Sequence, residues 1–188
     1  MMTRILSTAG TEFRVALRNR WVAIALALMA VFSLVLSLAG SAPTGGLGVD
    51  RLSVIVASLT SLSVYLIPLL ALLMSFDAIA GESERGTLPL LLAYPIAREE
   101  VLIGKLLAHL SILALAVLIG HGLAAGVAFW SDENAVEGLP ALLRLSWSSI
   151  LLGATFLGAG YALSSLSRRP SGAAGLAIGL WLGLVVLY

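Results

Sequence analysis

The sequence predicts an all-α integral membrane protein, a bundle of apolar helices preceded by one amphipathic helix. Three observations carry this reading. Of 188 residues, 60% are hydrophobic and only 11% are charged, whereas soluble domains carry about 25% charged residues. Mean hydropathy is +1.05. The charges are also clustered: eight of the 21 Asp, Glu, Lys and Arg residues fall within the 29 positions from Asp77 to Lys105, with charge-free apolar stretches on both sides. A charge at the bilayer centre costs roughly 3 kcal/mol or more, so this island lies outside the hydrocarbon. The net charge of +1 gives no global field, and no basic patch marks a nucleic-acid partner. Cysteine is absent, which excludes disulfides, thiolate metal sites and cysteine nucleophiles.

Residues 4–20 form the first element. At about 100° per residue, Ile5, Leu6, Ala9, Phe13, Ala16 and Leu17 share one arc, and Arg4, Ser7, Thr11, Arg14 and Arg18 the opposite one. Such a helix lies in the membrane surface with its arginines toward anionic headgroups. The rival reading is a plain cytoplasmic flank, and the clean separation of the two arcs argues against it. Trp21 to Gly40 is the first span, 20 residues without a charge, enough for a hydrocarbon core of roughly 30 Å. Small residues at Ala39–Ala42 raise a cleaved signal peptide as an alternative. This apolar run exceeds the usual signal core of about 7–15 residues.

A Gly/Pro turn over residues 41–51 leads to the second span, Leu52–Phe76, with a kink expected at Pro68. The third span is Leu106–Trp130, which carries His109, His121 and the pair Gly122 and Gly126. An acidic loop over residues 131–141 precedes the fourth span, Leu145–Ser167. After the basic turn Arg168-Arg169-Pro170, residues 171–188 begin a fifth. Its Gly175, Gly179 and Gly183 form a GxxxGxxxG row that lets another helix approach closely. General glycine enrichment in membrane helices is the rival for any one pair; three in register favour packing. An apolar run ending at Tyr188 without a polar flank predicts a single transmembrane domain, residues 1–188, truncated at its C-terminus.

Orientation follows from Lys and Arg. With the N-terminus in the cytoplasm, the inner segments hold nine: Arg4, Arg14, Arg18, Arg20, Arg85, Arg98, Lys105, Arg168 and Arg169. The outer loops hold two, Arg51 and Arg144. The positive-inside bias therefore makes the segment 77–105 cytoplasmic.

Within that segment, Asp77 to Arg85 is expected to prolong the second helix, with Gly86 as its stop. Thr87 reads as the N-cap of a short apolar helix, with Pro89 in its first turn and Pro95 as its end. Glu99 and Glu100 suit the start of the third helix. Glu82, Glu84 and Arg85 offer salt bridges to a soluble partner, and an Arg85–Glu82 pair at i,i+3 is worth about 0.2–0.5 kcal/mol. Asp77 reads either as a gate or partner ion pair, or as a solvated boundary residue. Gly81 to Gly86 has the glycine spacing of a phosphate-binding loop, but Thr87-Leu88 follows and no strand precedes it. The motif gives no ATP site.

The run Gly81, Glu82, Glu84, Gly86, Thr87, Leu88, Leu91, Leu92, Pro95, Arg98, Leu102, Gly104 and Lys105 resembles the ABC-2 class of ABC transporter permeases. Leu17–Trp21, Asp77–Glu82, Tyr94–Pro95 and Leu113–Gly120 extend the likeness toward the permeases of nitrous oxide reductase maturation systems, over essentially the whole chain. The resemblance implies an ABC-2 helical bundle, with five spans present of an expected six, in a bacterial or archaeal plasma membrane. It implies a homodimer whose copies each dock on a separate ATP-hydrolysing subunit. The contact falls on Glu82, Glu84, Arg85, Gly86, Thr87, Leu88, Leu91 and Pro95. It also implies a periplasmic maturation partner and support for assembly of a copper–sulfur centre, with sulfur or copper as cargo. The chain itself is expected to bind no cofactor and to hold no catalytic residue. Pro89 stands where many relatives carry a polar residue, and a sixth helix is missing. A permease for unrelated cargo is the alternative.

Two further classes stay in view. A membrane-embedded enzyme would use His109, His121 or Asp77. A secondary transporter would want inverted repeats and mid-membrane ionisable groups. The histidines stand 12 apart in sequence, about 120° round one helix and ~18 Å along it, so they do not share an ion within one chain. Met1, Met2, Met29 and Met74 form no cluster. No metal site is expected.

Overall fold

The computed structural model describes residues 2–18, 20–39, 51–87 and 97–187. Among them are α1 (Met2–Leu17), α2 (Arg20–Ala39), α3 (Arg51–Ser75), the short α4 (Ala80–Glu84), α5 (Arg98–Ser131), a 3-10 turn (Glu133–Gly138), α6 (Leu139–Leu166) and α7 (Pro170–Leu187). No strand occurs among the described residues. Among the described residues four stretches are long and apolar enough to cross a membrane: Val22–Ala39, Arg51–Glu84, Arg98–Ser131 and Glu133–Leu166. A fifth apolar helix, Pro170–Val185, is shorter. The fold class is thus the all-α membrane bundle that the composition predicts.

α3 and α6 form the most extensive pair, α5 carries α1 and α2, and α7 lies against α3 and α6. One apolar cluster gathers Met29, Ile67, Ile112, Leu113, Val117 and Leu157; a second gathers Leu52, Ile55, Leu59, Ala124, Ala128 and Leu142. Val31, Val35, Leu118, Leu151 and Leu176 stay exposed. Lipid is as apolar as leucine, so these side chains need no protein cover, and close backbone approach decides which faces meet. α2 meets α5 at Gly120, where a Cβ would stand 2.8 Å from Ser33 Oγ. Gly122 and Gly126, and the row Gly175, Gly179 and Gly183, face open space among the described residues. The glycines that carry contacts within this chain are therefore not the regularly spaced ones.

Polar groups brace the spans. His121 is buried, with Nδ1 2.9 Å from Ser146 Oγ and Nε2 3.3 Å from Ser63 Oγ. Ser146 already donates its proton to the Leu142 carbonyl, so Nδ1–H donates to Ser146. His121 thereby joins α3, α5 and α6. At the loop end, Asp132 accepts the Arg51 and Asn134 backbone N–H groups. These bonds, that from Arg51 first, hold its carboxyl below the usual range.

Pro68 removes one N–H from the α3 ladder and crowds the carbonyls of the preceding turn. In that turn the Tyr65 carbonyl accepts a 2.9 Å hydrogen bond from Trp181 Nε1 of α7. Trp181→Phe keeps an aromatic side chain but loses the indole N–H and its bond. The expected loss is about 1 kcal/mol, a fall of about 2–4 °C in the thermal midpoint of the purified chain. An unchanged midpoint would show that this bond does not hold α7.

Candidate functional site

The cytoplasm-assigned end of the bundle departs from the sequence expectation first in the path of the chain. Asp77 to Arg85 does not prolong the second helix. α3 stops at Ser75, Phe76–Ile79 form a turn, and α4 starts at Ala80. The cause lies on α6. Ser164 is 0% exposed. Its hydroxyl donates to the Phe76 carbonyl (2.7 Å) and accepts the N–H groups of Ile79 (3.1 Å) and Ala80 (3.0 Å). In an unbroken helix Ala80 N–H would bond the Phe76 carbonyl directly. Inserting a side chain into that ladder is an ordinary cause of a sharp kink. One turn earlier, a Cβ on Gly160 would collide with the Ser75 side chain, so glycine lets the two helices come this close.

α4 and the turn after it present Ser83, Glu84, Arg85, Gly86 and Thr87 on the exterior. Gly86 has φ +69°, the left-handed region that glycine enters without steric cost, and it turns the chain out of α4. Thr87 Oγ1 donates back to the Glu82 carbonyl (3.3 Å). Leu88, Leu91 and Pro95, with Pro89 and Leu92, lie outside the described residues. Arg85 does not pair with Glu82. Its Nη1 lies 3.3 Å from Asp77 Oδ2, across a helix face that Gly81 keeps clear. Asp77 accordingly has an ion-pair partner within its own chain. Both side chains are well exposed, so the pair is worth about 0–1 kcal/mol.

Glu82 points the other way, into the protein. Lys105 Nζ of α5 lies 2.6 Å from Glu82 Oε1 and 2.8 Å from Glu12 Oε1 of α1. The Lys105 side chain is 7% exposed, Glu82 15% and Glu12 24%. One cation thus serves two carboxylates, and Glu82 Oε2 is buried without a hydrogen-bond partner. The neighbouring Gly104 makes the arrangement possible. A Cβ there would stand 2.8 Å from Thr8 Cγ2 and 3.3 Å from the Ala9 nitrogen. α1 therefore crosses α5 in backbone contact, with Ala16 buried and Leu6 and Leu17 still exposed.

One turn along α5, His109 Nδ1 shares a 2.8 Å hydrogen bond with Tyr161 Oη of α6, and the rings lie 5.7 Å apart. Tyr161 is buried and sits three residues before Ser164. The node thus joins α1, α4, α5 and α6 through Glu12, Glu82, Lys105, His109, Tyr161 and Ser164. No group of three metal-ligating side chains occurs among the described residues.

Sequence reasoning singled out Glu82 but missed Glu12, the role of Lys105, Tyr161 and Ser164. Two signals were available. Glu12 falls at the edge of the apolar arc of α1, about 40° from Ala16. Gly160 and Ser164 form a small-xxx-small pair.

Comparison with known proteins adds to this geometry. The family described as ABC-2 family transporter protein matches residues 6–188. The chain is 46% identical over 189 residues to the probable ABC transporter permease protein NosY of Pseudomonas aeruginosa, covering 100% of this chain and 69% of the relative. It is 43% identical over 189 residues to the protein of the same description from Stutzerimonas stutzeri, covering 100% and 68%.

Proposed function

This chain belongs to the ABC-2 transporter family and is a NosY-like, multi-pass permease subunit of an ABC transporter, and we propose that its charged node receives the stroke of the ATPase partner that such a permease implies. In this reading ATP is hydrolysed on the partner, and the permease turns the resulting movement into work across the membrane. The contact is assigned to Glu84, Arg85, Gly86, Thr87, Leu88, Leu91 and Pro95; Glu82, which the sequence groups with them, points inward to Lys105 and takes the stroke from behind. The observation that carries the reading is the two-sidedness of α4. Its exposed face offers Glu84 and Arg85, while Glu82 on its inner face is bonded to buried Lys105. A push on the outer face therefore reaches α5 and α1 through a short, largely buried ion pair.

The finer assignments follow the resemblance and the charge pattern. The nine-to-two distribution of Lys and Arg supports a cytoplasmic N-terminus, which puts α4 where ATP is found, in the plasma membrane. The open row Gly175, Gly179 and Gly183 offers a face for close helix approach, in keeping with a homodimer. The likeness to NosY permeases supports a place in periplasmic copper–sulfur cofactor assembly for nitrous oxide reductase, with a periplasmic partner. The rival assignment is an ABC-2 exporter of other cargo.

The test is a mild-detergent pull-down of the tagged chain from its own cells. The parent retains a stoichiometric soluble ATPase, and Gly86→Trp retains about tenfold less, the loss of one good interface contact, while remaining monodisperse. A parent that is monodisperse yet free of ATPase would overturn the reading.

A further inference from the structure

We infer that Ser164 is the positioning residue that makes α4 and α6 move as one body, by splicing its hydroxyl into the backbone ladder between α3 and α4. The inference rests on the reading of α4 as the segment that an ATPase moves. It extends that reading from α1 and α5, which the Glu12–Lys105–Glu82 ion pairs reach, to α6, which those ion pairs do not.

Three observations carry it. First, the hydroxyl is fully committed: its proton goes to the Phe76 carbonyl, and its oxygen takes the Ile79 and Ala80 N–H groups. Neighbouring serines on the same helix behave differently. Ser165 and Ser167 donate to Ala162 and Leu163, carbonyls of their own helix, as serines in apolar helices ordinarily do. Second, Gly160 removes the one side chain that would hold α6 away from Ser75. Third, a cleft of about 300 Å³ opens beside the turn, lined by Ile79, Leu102, Leu106, Tyr161 and Ala162. The turn has room on the α5 side, and the hydroxyl ties its backbone to α6.

The geometry defines two arrangements. With the hydroxyl inserted, the ladder is interrupted between Phe76 and Ala80, and the start of α4 is tied to α6 while α4 packs against α7. With it removed, Ala80 N–H can rejoin the Phe76 carbonyl, and α3 and α4 run on as one helix. Ser164→Ala therefore leaves no backbone group stranded. It releases α4 from α6.

The chain has no cysteine, so S83C and L151C label exposed positions on α4 and α6 without background. Pulsed dipolar EPR on the full chain in detergent should give one narrow distance for the parent and for Ser164→Thr, which keeps the hydroxyl. Ser164→Ala should shift that distance by about 5 Å, one helical turn, or broaden it by as much. A Ser164→Ala distribution that coincides with the parent's would overturn the inference. Should Ser164→Ala fail to fold, hydrogen exchange on the parent decides. The Ile79 and Ala80 amides should exchange about tenfold or more slowly than the Gly86 amide, and equal rates would overturn the inference. Neither measurement needs an ATPase. Failure here is therefore separate from failure of the docking reading, which co-purification judges.

Discussion

Replacing Lys105 by methionine should lower the stability of the chain by about 3–5 kcal/mol, the cost of removing one partner from a buried ion pair. Methionine has the length and nearly the volume of lysine, so what is lost is charge. Glu12 and Glu82 then face one another without a cation, and Glu82 Oε2, which already lacks a partner, is joined by Oε1. The readout is the thermal midpoint of the purified chain, which should fall by about 10 °C. Glu82→Gln alone should cost less, because Lys105 keeps Glu12 at 2.8 Å. The variant E12Q/E82Q/K105M should recover most of the loss, since a neutral replacement of a whole buried charge group is often neutral or stabilising. That recovery would separate two roles. A node kept for stability would leave the recovered variant coupled, and a node kept for transmission would leave it folded, bound to its ATPase and idle. A midpoint for K105M within 2 °C or so of the parent would mean that water screens the cluster far better than its burial indicates.

The class of this protein was legible in its sequence because it depends on sums. Composition, the spacing of charges and the length of uncharged runs survive without tertiary knowledge. The polar island was equally legible, because charge in hydrocarbon is too costly to overlook. What lay hidden depends on which residues meet across helices. Lys105 read as the last letter of a motif; its function comes from Glu12, 93 positions earlier. The break after Ser75 has only a weak local cause, the Ser75 hydroxyl bonding back to the Ala71 carbonyl. Asp77–Glu84 contains neither proline nor a run of β-branched residues, and a helix through it is a sound local expectation. A hydroxyl 88 positions after Phe76 overrides it. The glycines teach the same lesson. Regular spacing drew attention to Gly175, Gly179 and Gly183, which face open space among the described residues, whereas Gly104, Gly120, Gly153 and Gly160 hold the contacts.

Gly104→Leu is the sharpest test of how α1 is held. A helix bound only to the membrane surface would ignore a substitution on α5. A helix in backbone contact with α5 would not, because a leucine at Gly104 must occupy the place of Thr8 and the Ala9 backbone. Backbone atoms yield less readily than side-chain ends, so overpacking of about 1–3 kcal/mol is expected, and lifting α1 also draws Glu12 away from Lys105. The combined loss should be about 3 kcal/mol or more, read as a lower thermal midpoint and as faster tryptic cleavage at Arg14 and Arg18. Gly126→Leu on the same helix is the control, since a Cβ there meets open space, and it should change the midpoint little. The double variant G104L/K105M should fall well short of the sum of the two single losses, because both sever the same junction of α1 with α5, and substitutions that share a partner do not add. Full additivity would divide the junction into two independent contacts, and α1 would then be held to α5 at Gly104 whether or not Lys105 carries its charge.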